Sequence, residues 1–201
     1  MCSVPKEANE TARDCWRLSW WAGFADRLLS ATRPDYVAIE DYAFAARGRS
    51  YQIAELGGQI RRIFASRLGI KVRLFDPMSI KMYAAHNGAA QKPEVEEAVR
   101  QRWQVDFTKY NAVTNRGTVQ SETSGDLVDA FCVAKLMWLE HRLREGAVRL
   151  ESLPPKELRI FLRATKARPV NLLGEDLWVT SGETAPYQTG VSAFDSLKGD
   201  L

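Results

Sequence analysis

An α/β fold is predicted for this chain by three observations. The short run 36–39 reads as a buried strand and Lys71 to Phe75 as a second strand, helical periodicity fills the segments around them, and a long apolar helix spans Asp126 to His141. At 201 residues and 45% hydrophobic content, the chain can form one compact domain with a real core and a small appendage. A net charge of +3 and a pI near 8.8 permit nucleic-acid binding without demanding it. The three cysteines, Cys2, Cys15 and Cys132, show no CxxC spacing, so neither a disulfide framework nor a zinc ribbon is expected, and a reducing cytoplasm fits them. No basic-flanked apolar leader opens the chain and no stretch is long and apolar enough to span a bilayer, so a soluble protein without membrane contact is expected.

The first helix is read over Glu7 to Ala31, where Trp16, Trp20, Trp21, Phe24 and Leu28 recur at spacings of three and four. Such a stripe could stack on bases, but at helical spacing it is expected to be a core face. Pro34 ends that helix, and Tyr36 to Ile39 forms a strand that places Glu40 at its C-terminal end, the side on which sheets of parallel type bind ligands. A loop carrying Tyr42, Phe44, Arg47 and Arg49 leads to a helix of about 51–68 that contains Gly57-Gly58. Each glycine costs such a helix roughly 1 kcal/mol relative to Ala, which suggests close approach of another backbone. The second strand, Lys71 to Phe75, is stopped by Asp76-Pro77. A connecting stretch from Ser79 to Pro93 bears Lys81, His86 and Lys92, with His86 read as a loop residue, and a helix begins near Pro93. Residues 108–125 read as a polar loop before the helix from Asp126, which is apolar nearly all round and so expected to be buried on most sides.

The strongest chemical signal is Asp126 with Asp129. Three residues apart, they share one helical face, where two like charges repel unless a cation or proton lies between them. A divalent metal is the natural partner. The structural alternative is that Asp126 complements the helix dipole as a first-turn acid while Asp129 pairs with an arginine.

In this order and context the sequence resembles the RuvC family of Holliday-junction resolvases, within the RNase H-like superfamily, over roughly Asp35 to Trp138. Arg33-Pro-Asp-Tyr-Val-Ala-Ile-Glu40 looks like the strand carrying the family's second catalytic acid, and Leu56-Gly-Gly-Gln-Ile60 is similar to the helix after it. Phe75-Asp-Pro-Met-Ser-Ile-Lys81 and Asn87-Gly-Ala-Ala-Gln-Lys92 look like its strand and basic loop, and Gly125-Asp-Leu-Val-Asp-Ala-Phe131 matches its closing DxxD helix. The resemblance implies an RNase H-like mixed sheet flanked by helices. It further implies a catalytic set of Glu40, Asp126 and Asp129 holding two Mg²⁺ ions about 4 Å apart, with Mn²⁺ as a substitute, for in-line cleavage of a phosphodiester. Lys81 and Lys92 would neutralise phosphates near the junction centre, Tyr42 or Phe44 would stack on opened bases, and Arg47 and Arg49 would contact phosphate. Their structural alternatives are solvated surface lysines and an inward-packed Phe44. The helix 51–68 would form a homodimer contact.

One departure from the family pattern stands out. The opening strand that ends in the first catalytic aspartate, and the two strands after it, have no counterpart before the Trp-rich helix. A truncated start is the favoured expectation, with in-frame upstream sequence supplying the strand, and little cleavage is expected from this chain alone.

The nuclease domain is read as 1–150, N-terminally incomplete, with an extension over 151–180 that packs on the core through Leu158, Phe161 and Leu162, and a flexible tail over 181–201. Within the extension, Ala167 to Leu173 reads as extended, and a basic stretch from Lys156 to Arg168 could lengthen a DNA footprint or be a solvated face. The function expected is a structure-specific DNA endonuclease acting on four-way junctions in recombination, repair or phage DNA processing, in the cytoplasm of a bacterium or encoded by a phage. The alternatives are a nuclease-dead module that grips branched DNA or dimerises, and a likeness of fold alone with a different nucleic-acid substrate.

Overall fold

The computed structural model describes residues 9–41, 50–67, 69–107, 112–114, 117–119, 122–164, 171–174 and 178–179. Its elements in chain order are α1 (Glu10–Thr32), β1 (Tyr36–Glu40), α2 (Ser50–Ala65), β2 (Lys71–Phe75), α3 (Pro77–Ala85) and α4 (Lys92–Trp103). A short hairpin of β3 (Ala112–Thr114) and β4 (Gly117–Val119) follows, then α5 (Glu122–Arg144), a 3-10 turn at Leu150–Ser152, α6 (Pro155–Leu162) and β5 (Trp178–Val179). The principal sheet has the order β1-β2-β5. Lys71 N–H donates to Asp35 O at 2.9 Å and Asp41 N–H to Phe75 O at 2.7 Å, so the register advances in one direction along both strands and the β1–β2 pair is parallel. The β2–β5 pair is antiparallel, with Lys71 opposite Val179, which makes the sheet mixed, as expected.

The residues cluster into two compact units. The first contains α1, the start of β1, α2, β2 as far as Arg73, and β5. Here Asn9 caps α1 by accepting from the Ala12 N–H at 2.8 Å, and the helix ends where Arg33 turns left-handed at φ 46°. α1 packs on α2, and the Arg67–Asp26 ion pair ties the end of α2 to α1. The aromatic stripe of α1 is not the core face that its spacing predicts. Ala25 and Leu29 are the residues buried, whereas Trp21 is 37% exposed, Phe24 42% and Leu28 46%. The cause is geometric: the apolar arc is wider than one neighbouring helix can cover, and the rings pack on each other instead, with Trp20 and Phe24 stacked at 5.8 Å. No neighbour among the described residues approaches Gly58 closely, since a Cβ there would meet nothing within 4 Å. A cavity of about 420 Å³ in this unit, lined by Leu29, Arg33, Asp35, Arg67 and Ile70 among others, holds none of the candidate site residues.

The second unit contains β1 from Ala38, β2 from Leu74, and α3 to α6. Asp76-Pro77 stops β2 at Phe75 as expected, but the stretch after it needs correction, because the same pair starts a helix. The Asp76 carboxylate accepts from the Ser79 N–H at 2.9 Å and from the Ser79 hydroxyl at 2.7 Å, and Pro77 brings a pre-set φ to the first turn, so α3 forms where a connecting stretch was expected. Within the stretch read as a polar loop, residues 112–114 and 117–119 pair as a hairpin and α5 starts at Glu122, four residues early. Helices α4 and α5 pack on α3 and on each other, and α6 packs on α3. Val95, Val99, Val128, Cys132, Leu136 and Phe161 are nearly or fully buried between them, and Leu172 and Leu173 are buried in a turn where extended chain was expected. α5 is buried over most of its circumference, by Val128, Cys132, Val133, Leu136, Met137, Leu139 and Glu140, and Leu127, Ala130, Ala134 and Trp138 form one exposed stripe.

Candidate active site

Glu40, Asp126, Asp129, Lys81 and Lys92 all belong to the second unit. β1 delivers Glu40 at its C-terminal end, fixed by the Asp41-to-Phe75 backbone bond, and the same end of β2 passes directly into α3, which carries Lys81. After α3 the chain turns at His86, left-handed at φ 54°. The loop that follows needs Gly88, where a Cβ would come within 2.5 Å of the Met78 Cγ. It ends at Gln91, whose N–H donates to the Glu94 carboxylate at 2.6 Å, and that bond starts α4 with Lys92 as its first residue.

Asp126 and Asp129 lie one turn apart on α5. Since α5 begins at Glu122, Asp126 is not a first-turn acid, and the dipole account of it fails. Its partner is a lysine: Lys92 Nζ stands 3.3 Å from Asp126 Oδ1. Both side chains are well exposed, at 64% and 78%, so this ion pair is a weak one.

Electrostatics tie the remaining groups together. The Glu40 carboxyl retains solvent contact, yet the protein around it removes enough water to raise its pKa, and the neighbouring Asp129 raises it further. Lys81 and Lys92 oppose that rise, and Asp126 adds a smaller repulsion. The Asp129 carboxyl is also raised, first by partial burial, with Lys92 and Lys81 lowering it and Asp126 raising it. Thus three carboxylates from two distant sequence segments and two ammonium groups share one field. Sequence reasoning placed these five together, and the structure brings them together. Tyr42, Phe44, Arg47 and Arg49 lie outside the described residues.

The donor chemistry, carboxylate oxygens in number, suits a hard divalent cation. The present spacing does not complete such a site: among the described residues no three Asp, Glu, His or Cys side chains stand close enough to hold one metal ion. Asp126 already faces an ammonium.

Two features of the site were missed in the sequence. One is Gly125, over which the Lys92 side chain lies: a Cβ at that position would stand 3.3 Å from Lys92 Cδ and 3.5 Å from its Nζ. The other is Arg102, which bonds Tyr83 O at 2.6 Å and Glu157 Oε1 at 2.6 Å and lies over the rings of Tyr83 and Trp103. The Tyr83 hydroxyl reaches Lys135 O on α5 at 3.4 Å, and Trp103 packs edge-on against Phe131, so this hub locks α3, α4, α5 and α6 behind the carboxylates. The Asp76-Pro77 cap was a readable signal; the Gly125 and Arg102 contacts, made across the fold, had none.

The chain is 27% identical over 114 residues to the crossover junction endodeoxyribonuclease RuvC of Gloeobacter violaceus, covering 57% of this chain and 58% of that one. It is 27% identical over 134 residues to the RuvC of a Synechococcus species, covering 67% and 78%, and 33% identical over 72 residues to that of Prochlorococcus marinus, covering 36% and 45%. The chain is RuvC-like. It spans less than two thirds of the length of the Gloeobacter relative. No family model matches it. Among solved structures, Thermus thermophilus RuvC aligns at a TM-score of 0.45 and 20% identity, over 68% of this chain and 73% of that one. The same protein in complex with a Holliday junction substrate aligns at 0.46 and 20%, over 65% and 70%. The RuvC-like chain contains, among its described residues, no helix long and apolar enough to cross a membrane.

Proposed function

We propose that this RuvC-like chain is a structure-specific DNA endonuclease of the crossover-junction type, cutting phosphodiester bonds in recombination, repair or phage DNA processing. The observation that carries the reading is the convergence of Glu40 with Asp129 and Asp126, from a strand end and a helix far apart in sequence, in a field shared with Lys81 and Lys92. Such an arrangement is costly for folding, because partly dehydrated like charges repel, and it gains a purpose where cations and phosphates meet. Lys81 and Lys92 attract and seat a phosphate, while Glu40 and Asp129 face it from the sheet end and the helix.

In this reading the three carboxylates would hold magnesium, with manganese as a substitute, which would activate a water and stabilise charge on the phosphorus. Tyr42, Phe44, Arg47 and Arg49 are assigned to the DNA-facing loop, and 51–68 to a homodimer contact, for which the open space at Gly58 leaves room. The nuclease domain is assigned to 1–150, followed by the extension and tail, and the setting is a bacterial or phage-infected cytoplasm.

The test is incubation of the chain with a labelled four-way junction and with linear duplex in millimolar Mg²⁺. Weak cleavage confined to the junction and abolished by Asp129→Asn is expected. Tight junction binding with no cleavage in either Mg²⁺ or Mn²⁺ would overturn the nuclease reading in favour of a binding module.

A further inference from the structure

The C-terminal half of α5 presents a cation-flanked ring to solvent. Trp138 is 55% exposed, the most open of the large apolar side chains among the described residues. Phe131, Lys135, Trp138 and Arg142 recur at spacings of four, three and four, so they stand in one row along the helix. Lys135 Nζ lies 5.5 Å from the Phe131 ring and 5.7 Å from that of Trp138, and Arg142 Cζ lies 5.7 Å from the Trp138 ring one turn further on. Both cations stand near the ~6 Å limit of such contacts, at the margin of an indole that stays open. Ala134, one turn before it, is too short to cover it. We infer that Trp138, Lys135 and Arg142 form a stacking platform for single-stranded DNA, in which the indole takes one unpaired base and the two cations take the phosphates beside it.

Charge comes first. The carboxylates nearby are already engaged: Glu140 is fully buried with Arg144, and Glu145 stands 3.1 Å from the His141 Nε2. Neither Lys135 nor Arg142 has a carboxylate partner among the described residues, and Arg142 Nε, though shielded from water, makes no hydrogen bond there. The face thus suits a ligand that is anionic and aromatic together, which a nucleotide strand is. Area decides against a protein partner. A half-exposed indole offers on the order of 100 Å², whereas a stable protein interface takes roughly 800 Å² from each side. Leu127, the other large apolar residue of the exposed stripe, is about three turns away, and Ala130 and Ala134 between them add little. One base needs only one ring face. Lys135 and Arg142 lie about 10 Å apart along the helix axis, so a strand stacked on Trp138 passes both. Trp138 lies about two and a half turns beyond Asp129, which sets the platform on the opposite side of α5 from that carboxylate. It therefore holds a different strand from the one the acids face. The inference rests on the proposed function only for the choice of DNA as the nucleic acid, and it holds whether or not a junction is cut.

Titration of a short labelled oligothymidylate with the full chain in EDTA, followed by fluorescence anisotropy, tests it without any activity assay. Because Trp138 is exposed, its substitution leaves the core intact. Trp138→Ala should weaken binding by roughly five- to hundredfold, the range that one base stacked on an aromatic ring contributes, and Trp138→Phe should keep most of the affinity. With unlabelled oligothymidylate the unaltered chain should lose tryptophan fluorescence on binding, and the Trp138→Phe chain should lose much less. Lys135→Gln and Arg142→Gln should each lower the slope of log affinity against log salt by about 0.7. Unchanged affinity in Trp138→Ala, equal losses in Trp138→Ala and Trp138→Phe, undiminished quenching in Trp138→Phe, or unaltered salt slopes overturn the inference. A dimer seen by sedimentation and dissolved by Trp138→Ala, with oligonucleotide binding unchanged, assigns the surface to a second copy and overturns it as well. If the platform behaves as expected and no junction is cut, the endonuclease reading fails alone. If the junction is cut and Trp138→Ala binds the oligonucleotide as before, the platform fails alone.

Discussion

Removing Arg102 should unfold the platform behind the carboxylates more effectively than removing its ion-pair partner Glu157. The Glu157 side chain is 4% exposed and that of Arg102 29%, so each deletion strands a different kind of charge. Arg102→Ala leaves a carboxylate buried without its guanidinium, for which breaking buried pairs sets a cost of about 3–5 kcal/mol. It also forfeits the bond to Tyr83 O and the stacking on Tyr83 and Trp103. Glu157→Ala leaves a guanidinium that water partly reaches and that still bonds Tyr83 O, so its cost falls nearer ~2 kcal/mol. For a chain of this size, each kcal/mol moves the melting temperature by about 2–4 °C, which predicts losses of roughly 6–20 °C for Arg102→Ala and 4–8 °C for Glu157→Ala. The apolar pair Arg102→Met/Glu157→Leu should recover much of the loss, since no buried charge remains. Urea and thermal unfolding followed by tryptophan fluorescence measure all three. A loss below about 1 kcal/mol for Arg102→Ala, or a greater loss for Glu157→Ala, would refute the claim that this pair is the structural lock.

Two further predictions concern ionisation. Glu40 and Asp129 have carboxyls raised above their ordinary values of 4.5 and 3.8, so the folded chain holds those protons more firmly than the unfolded chain. Their ionisation therefore costs folding stability; the cost is absent below the ordinary carboxylate range and complete above the raised values. Glu40→Gln and Asp129→Asn should each raise the melting temperature at pH 8 and leave it unchanged at pH 3, and a gain that persists at pH 3 would contradict the assignment. Burial, with a contribution from Asp129 that Arg102 opposes, pushes the Cys132 thiol up to about 12, whereas Cys15 is exposed. In a Cys2→Ser/Cys15→Ser chain, Cys132 should therefore resist a disulfide reagent at pH 8 and react once urea is added; prompt reaction in the folded chain would show the thiol to be accessible. Because the unfolded thiol ionises from about pH 9 and the folded one only near 12, stability should decline across that interval.

The sequence was most legible where local chemistry and burial agree. Lys71 to Phe75 is a strand with the predicted bounds, with Val72 and Phe75 buried and Asp76-Pro77 ending it. Glu40, Asp126 and Asp129 stood out because their contexts resemble those of a known family. It was least legible where one residue type serves two ends. Asp76-Pro77 serves both as the stop of β2 and as the cap of α3, and the second role was passed over although its chemistry was readable. The α1 stripe shows the limit of periodicity, which announces that a face is apolar and not what, if anything, covers it.

What the sequence by itself determined is the set of groups: an α/β alternation, three acids, two lysines and their order along the chain. Tertiary structure alone decided their company. That Asp126 faces a lysine depends on how α4 starts against α5, and hence on the missing side chain at Gly125, a contact between residues more than thirty positions apart. The Arg102 hub is decided in the same way, by helices meeting across the fold. Local propensity is encoded residue by residue, whereas the field that a charge experiences is a sum over neighbours that exist only once the chain has folded.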